Sequence, residues 1–197
     1  METVELTIDE NDELSGVFAI SIVENPAIQE NFIALSEEKK LELMEVDSER
    51  KILMGAALVP DKKILRKKKD EYYEIFFSKD TVEKASQLFL KRGNQGQSTL
   101  EHEASLVGLS VVESWLVEDD VHDKSRKYGM DVPVGTWMVS MKVDNEDVWY
   151  NEVKTGNVKG FSIEAYFTER LEMSMKEEDE LLNALKSIDE KVSLILK

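Results

Sequence analysis

Val17-Phe18-Ala19-Ile20-Ser21-Ile22-Val23 decides the class of this fold. The run is dominated by β-branched and aromatic residues, and Asn25-Pro26 closes it where proline removes a ladder donor. A nearly continuous apolar strand belongs inside a structure, covered on both faces. Working outward, comparable strand signals occur at 51–59, which ends in the turn residues Pro60-Asp61, and at 72–77, 106–117, 136–143 and 159–168. The clearest helix is 78–92. Asp80 is its expected cap with Glu83 returning to it, Val82, Ala85, Leu88 and Phe89 share a face, and Gly93 stops it. Weaker helices are expected at 36–46, capped by Ser36, and at 144–154, capped by Asp144. The connection 93–98 reads as flexible and outside the core. The expected architecture is mainly β with peripheral helices (α+β), a β-dominated barrel or half-barrel with helices outside.

Two regions divide the chain: a domain over 1–170 and a C-terminal helix over 171–197. In the latter, Leu181, Leu185, Ile188, Val192 and Ile195 recur at spacings of four and three, an apolar seam. Packing on its own domain, homo-oligomerisation and docking on a scaffold all remain open for that helix.

Composition sets outer limits. A chain of 197 residues with 42% hydrophobic content buries one full core. Without cysteine there is no disulfide, thiolate metal site or thiol nucleophile. No apolar run reaches the length of a membrane helix, so no membrane partner is expected and the protein reads as soluble and intracellular. A net charge of −16 argues against nucleic acid as a partner. The basic run Lys62-Lys63-Ile64-Leu65-Arg66-Lys67-Lys68-Lys69 is the local exception and reads as a solvated turn between strands.

The chemistry narrows quickly, because His102 and His122 are the only imidazoles. His122 lies among Asp119, Asp120 and Asp123, as a solvated surface histidine would. His102, in Ser98-Thr99-Leu100-Glu101-His102-Glu103, is the better candidate base. Ser162, in Lys159-Gly160-Phe161-Ser162-Ile163-Glu164-Ala165, is a hydroxyl on a strand that would fix its direction. Glu164 shares a strand face with Ser162 and is the first candidate to orient the base; Glu113 is the second. No His-Glu-x-x-His, calcium-loop or phosphate-loop pattern is present, so neither metal nor cofactor is expected. The Gly-x-Ser-x-Gly elbow of esterases is missing as well.

The segments 19–28, 55–62, 99–102, Val112-Glu113-Ser114-Trp115, Gly135-Thr136-Trp137 and 159–164 together resemble, in order, the phage head-maturation (prohead) serine proteases of the XkdF-like type. The resemblance implies a fold similar to herpesvirus assemblin, a β-barrel wrapped by helices, with His102 as general base and Ser162 as nucleophile. It also implies scaffold and major capsid proteins as substrates, cut inside the assembling procapsid in the host cytoplasm. No histidine follows Ser162, so a carboxylate replaces the third histidine of the herpesvirus enzymes or the site is a dyad. In other tailed-phage prohead proteases a strand similar to Ala19-Ile20-Ser21-Ile22-Val23 follows the nucleophile and carries the orienting glutamate. Its N-terminal place here resembles a circular permutation with Ala19 at that glutamate's position, to be compensated by Glu164 or Glu113. The alternative is a capsid-assembly or scaffolding module of the same fold without activity.

Overall fold

The computed structural model describes residues 3–27, 33–36, 49–68 and 71–170. Among the described residues, twelve strands form three four-stranded sheets. The first contains β1 (Thr3–Thr7), β5 (Ile64–Lys68), β6 (Glu71–Phe76) and β12 (Thr168–Arg170), in the order β12-β1-β6-β5. A second, wholly antiparallel, contains β3 (Ile33–Ser36), β4 (Glu49–Leu58), β9 (Leu109–Leu116) and β10 (Trp137–Val143), in the order β3-β4-β10-β9. The third carries the candidate site and is ordered β11 (Gly160–Tyr166), β2 (Gly16–Val23), β7 (Ser98–Leu100), β8 (Ala104–Leu106). Here β2 pairs antiparallel with β11 but parallel with β7.

The double-sided apolar run of β2 is buried as its composition requires. Ile20 and Ile22 have no exposure, and Val17, Ala19, Ser21 and Val23 are buried with them. Complete burial of each isoleucine contributes about 1.5–3 kcal/mol. The shared core joins this strand to Leu53, Met54, Trp137, Met138 and Phe161. Helix α1 (Lys79–Lys91) lays Val82, Ala85 and Phe89 on it, and the Phe89 and Trp137 rings meet edge-on with centroids 5.4 Å apart. Its cap is Ser78, whose hydroxyl accepts from the Thr81 N–H, so the expected Asp80 cap is corrected by two residues. Gly93 follows at φ +74°, a left-handed helix stop.

Several expectations change. The sheets do not close into a barrel among the described residues: each ends in outer strands with no ladder to another sheet. Burial of β2 is met by the shared apolar core and by α1, which needs none of the continuous register a barrel demands. Strands are also more numerous and shorter than expected, and β1 escaped notice because Thr3, Glu5 and Thr7 interrupt its apolar pattern. The basic run is mostly the outer strand β5, paired with β6 from Ile64 to Lys68, rather than a turn. The connection after α1 is an ordered 3₁₀ turn, Asn94–Gly96, tied to β2 by the Asn94 side-chain amide donating to the Val17 carbonyl at 3.1 Å, and Ser98 beyond it is buried. The helix expected at 144–154 is one α-turn, Glu146–Val148, capped by Asn145 rather than Asp144 and continued as a π-turn over Trp149–Val153. The helix expected at 36–46 lies outside the described residues except for Ser36, which ends β3. The C-terminal helix expected at 171–197 lies outside them entirely. No helix among the described residues is long and apolar enough to cross a membrane.

Candidate active site

The ladder of the third sheet sets the site. Ile20 N–H donates to the Gln97 carbonyl and Glu101 N–H to the Ile22 carbonyl, each at 3.1 Å, so the even residues of β2 face β7. The backbone of Ser21 therefore turns to β11, where its register partner is Ser162. Across β7 its partner is Thr99. Ser162, Ser21 and Thr99 thus form one cross-strand row, and cross-strand partners project from the same face of a sheet. Glu164, two residues beyond Ser162, lies on that face too.

His102 is presented by a turn of unusual hand. Glu103 N–H donates to the Leu100 carbonyl at 3.0 Å, and the two residues between, Glu101 and His102, have φ of +51° and +61°. Such primed turns ordinarily use asparagine and glycine, because a Cβ in the left-handed region costs about 1–2 kcal/mol per residue. Three anchors hold it in place. Glu101 N–H is bound by the Ile22 carbonyl, the Glu101 carboxylate accepts from Glu24 N–H, and His102 N–H donates to the Ser21 hydroxyl at 3.1 Å. Ser21 has no exposure and itself donates to the Thr99 carbonyl at 3.3 Å.

The turn brings the ring to a carboxylate. His102 Nδ1 lies 3.5 Å from Glu164 Oε1, and the same oxygen accepts a hydrogen bond from the Thr99 hydroxyl. The His102 side chain is 42% exposed and that of Glu164 20%, so a substrate can reach the ring while its partner is largely covered. With Nδ1 turned to the carboxylate, Nε2 is the nitrogen left for proton exchange. Among the described residues the Ser162 hydroxyl makes no hydrogen bond to the ring. The structure thus gathers His102, Glu164 and Ser162 on one face of one sheet, with imidazole and carboxylate adjacent.

Glu113 lies elsewhere. It sits on β9 in the second sheet and pairs with Lys124 at 2.5 Å, an interaction that holds its carboxyl below the usual range. Of the two candidate acids, Glu164 is the one beside the ring. It is also the register partner of Ala19, so its carboxylate enters the site one strand away from where the resemblance places the usual glutamate. His122 is a surface residue, its side chain 82% exposed and its Nδ1 3.2 Å from Asp119. Sequence reasoning missed the supporting hydroxyls of Ser21 and Thr99. The available signal was a lone polar residue inside Ile20-Ser21-Ile22, where a buried hydroxyl must find partners.

No curated protein and no solved structure matches the chain. One family model, described as "Putative phage serine protease XkdF", matches residues 40–172. The match takes in His102, Ser162 and Glu164 and begins after β2, later than the segment resemblance that starts at Ala19. With most of its length matched, the chain belongs to the family described as "Putative phage serine protease XkdF".

Proposed function

We propose that this chain hydrolyses peptide bonds through an acyl-enzyme on Ser162. His102 Nε2 takes the hydroxyl proton as Oγ attacks the carbonyl carbon, then gives it to the departing amine. Water, activated by the same nitrogen, releases the acyl group. Glu164 orients the ring and balances the imidazolium, and Thr99 fixes that carboxylate. The observation that carries this reading is the contact between His102 Nδ1 and Glu164 on the face where Ser162 projects. No cofactor enters the reaction.

The biological setting we propose is head maturation: cleavage of scaffold and major capsid proteins inside the procapsid, in the host cytoplasm, by an enzyme related in fold to assemblin. Membership of a phage protease family and a strongly acidic chain support it. Docking or homo-oligomerisation through 171–197 belongs to the same proposal. Co-expression with the neighbouring capsid and scaffold proteins tests it: wild type yields shortened products and Ser162→Ala does not. The second reading, an assembly module without activity, is favoured by the missing hydrogen bond between Ser162 and His102. Catalytic hydrogen bonds often form only with substrate bound. Equal products from wild type and Ser162→Ala, or none from either, would decide for the module.

A further inference from the structure

Arg66, which meets no carboxylate among the described residues, borders a cavity that reaches Ser162. Arg66 lies on β5 between exposed Leu65 and Lys67, so it shares the inward face of that outer strand with buried Ile64 and, across β6, with Tyr73 and Ile75. Its hydrogen bond runs from Nη1 to the neighbouring Leu65 carbonyl at 3.3 Å, and among the described residues it makes no ion pair. This is unexpected in a chain with 41 acidic residues, where nearby Lys63 does pair with Glu74 at 2.9 Å. A half-buried guanidinium gives up hydration that a carboxylate would replace.

The cavity measures about 210 Å³, and apart from Arg66 and Ser162 its lining is apolar, with Ile64, Ile75, Phe77, Phe161 and Ile163 prominent. It meets Phe161, Ser162 and Ile163 in succession. Successive strand residues point to opposite faces, so one cavity touches all three only along the margin of the strand. β11 is an outer strand of its sheet, the kind of margin along which an extended peptide lies.

We propose that this cavity is the subsite for a glutamate side chain of the peptide substrate, with its methylenes among the apolar residues and its carboxylate on Arg66. The proposal rests on Ser162 being the proteolytic nucleophile. Size favours a single side chain: an apolar cavity of about 150 Å³ holds benzene, whereas small-molecule clefts run to roughly 300–1,000 Å³. The guanidinium fork matches a carboxylate in two hydrogen bonds, which an amide cannot reproduce. Aspartate has one methylene fewer to fill the apolar part. An inward charge on an outer strand also discourages edge-to-edge pairing, but that role selects no peptide.

The test has two arms on the full chain. In the first, wild type digests a mixed peptide library and the cut sites are read by mass spectrometry; Ser162→Ala is the blank. Glutamate should be enriched at one position near the cut on the order of tenfold or more over glutamine. Arg66→Ala should lose that enrichment, and Arg66→Lys, which keeps the charge without the fork, should retain part of it. In the second arm, immobilised Ser162→Ala selects uncut peptides from the same library, and glutamate should be enriched unless Arg66→Ala is also present. Cleavage without glutamate preference, or a preference that survives in folded Arg66→Ala, overturns the subsite while leaving the protease standing. Absence of cleavage with glutamate-selective capture in the second arm sinks the protease and keeps the carboxylate site. Capture with no preference, or no capture, overturns the site.

Discussion

Replacing Ser21 by alanine removes a single buried hydroxyl that joins the strand bearing Ser162's partner to the turn bearing His102. Two hydrogen bonds go with it: His102 N–H to Oγ at 3.1 Å, and Oγ to the Thr99 carbonyl at 3.3 Å. The first lies within normal hydrogen-bond range and the second at its edge, so the first carries most of the effect. A donor left unpaired in a covered position costs about 1–3 kcal/mol. The turn it anchors holds two non-glycine residues in the left-handed region, at about 1–2 kcal/mol each. Strain and anchoring are therefore of similar size, and loss of one anchor lets the turn relax while the sheets persist. The expected outcome is a loss of about 1–3 kcal/mol in urea unfolding followed by tryptophan fluorescence, with an unchanged slope. Amide exchange at His102 should accelerate by more than that at Ile20 or Ile22. If peptide cleavage is present, its rate should fall on the order of a hundredfold, as expected of a ring displaced by about an ångström. Ser21→Ala with unaltered stability and unaltered His102 protection would refute the claim that this hydroxyl holds the turn.

Glu164→Gln should lower the cleavage rate by between about tenfold and the roughly 10⁴-fold seen for fully buried triads, since here the carboxylate is only partly covered; steady-state kinetics should place the loss in kcat more than KM. Gly108→Ala should destabilise by about 1–3 kcal/mol in the same urea assay, because φ is +83° and the new Cβ would lie 3.2 Å from the Asn145 backbone nitrogen. Asp119 accepts backbone N–H bonds from His122 and Val121, which hold its carboxyl down from 3.8 to about 2. A depressed folded value means its contribution is present above pH 3.8 and lost as pH falls from 3.8 to about 2, so carboxyl NMR should show a midpoint near 2 that returns to the ordinary range on unfolding.

Much of this could be read from residue order alone, and the misreadings have physical causes. The strands β2, β10 and β11 announce themselves because β-branched and aromatic side chains run together in them. How those strands assemble does not, since burial of a strand is satisfied equally by a closed barrel and by separate sheets that share one core. Ser78 and Asp80 can both cap a helix, and only the chain's direction of entry chooses between them. Within the site, the two-residue period of a strand correctly put Glu164 beside Ser162, and register then carried that face to Thr99 and His102. The left-handed turn was hidden because neither Glu101 nor His102 is a residue that prefers it; its existence depends on anchors from β2, remote in the chain. Arg66 was hidden by its neighbours, whose charges mask a single inward position in a basic run.

The pairing of β2 with β11 joins residues near the start of the chain to residues some 140 positions later, with the histidine turn emerging between them. During synthesis the ring and its hydroxyl anchor are made first, and the strand carrying Ser162 and Glu164 is threaded alongside only when the core is nearly complete. Pairings of such long range form late. On the proposed mechanism a nascent polypeptide that ends before β11 lacks both Ser162 and Glu164 and should not cut, so the order of translation would itself delay the proposed activity until most of the described sheets have been made.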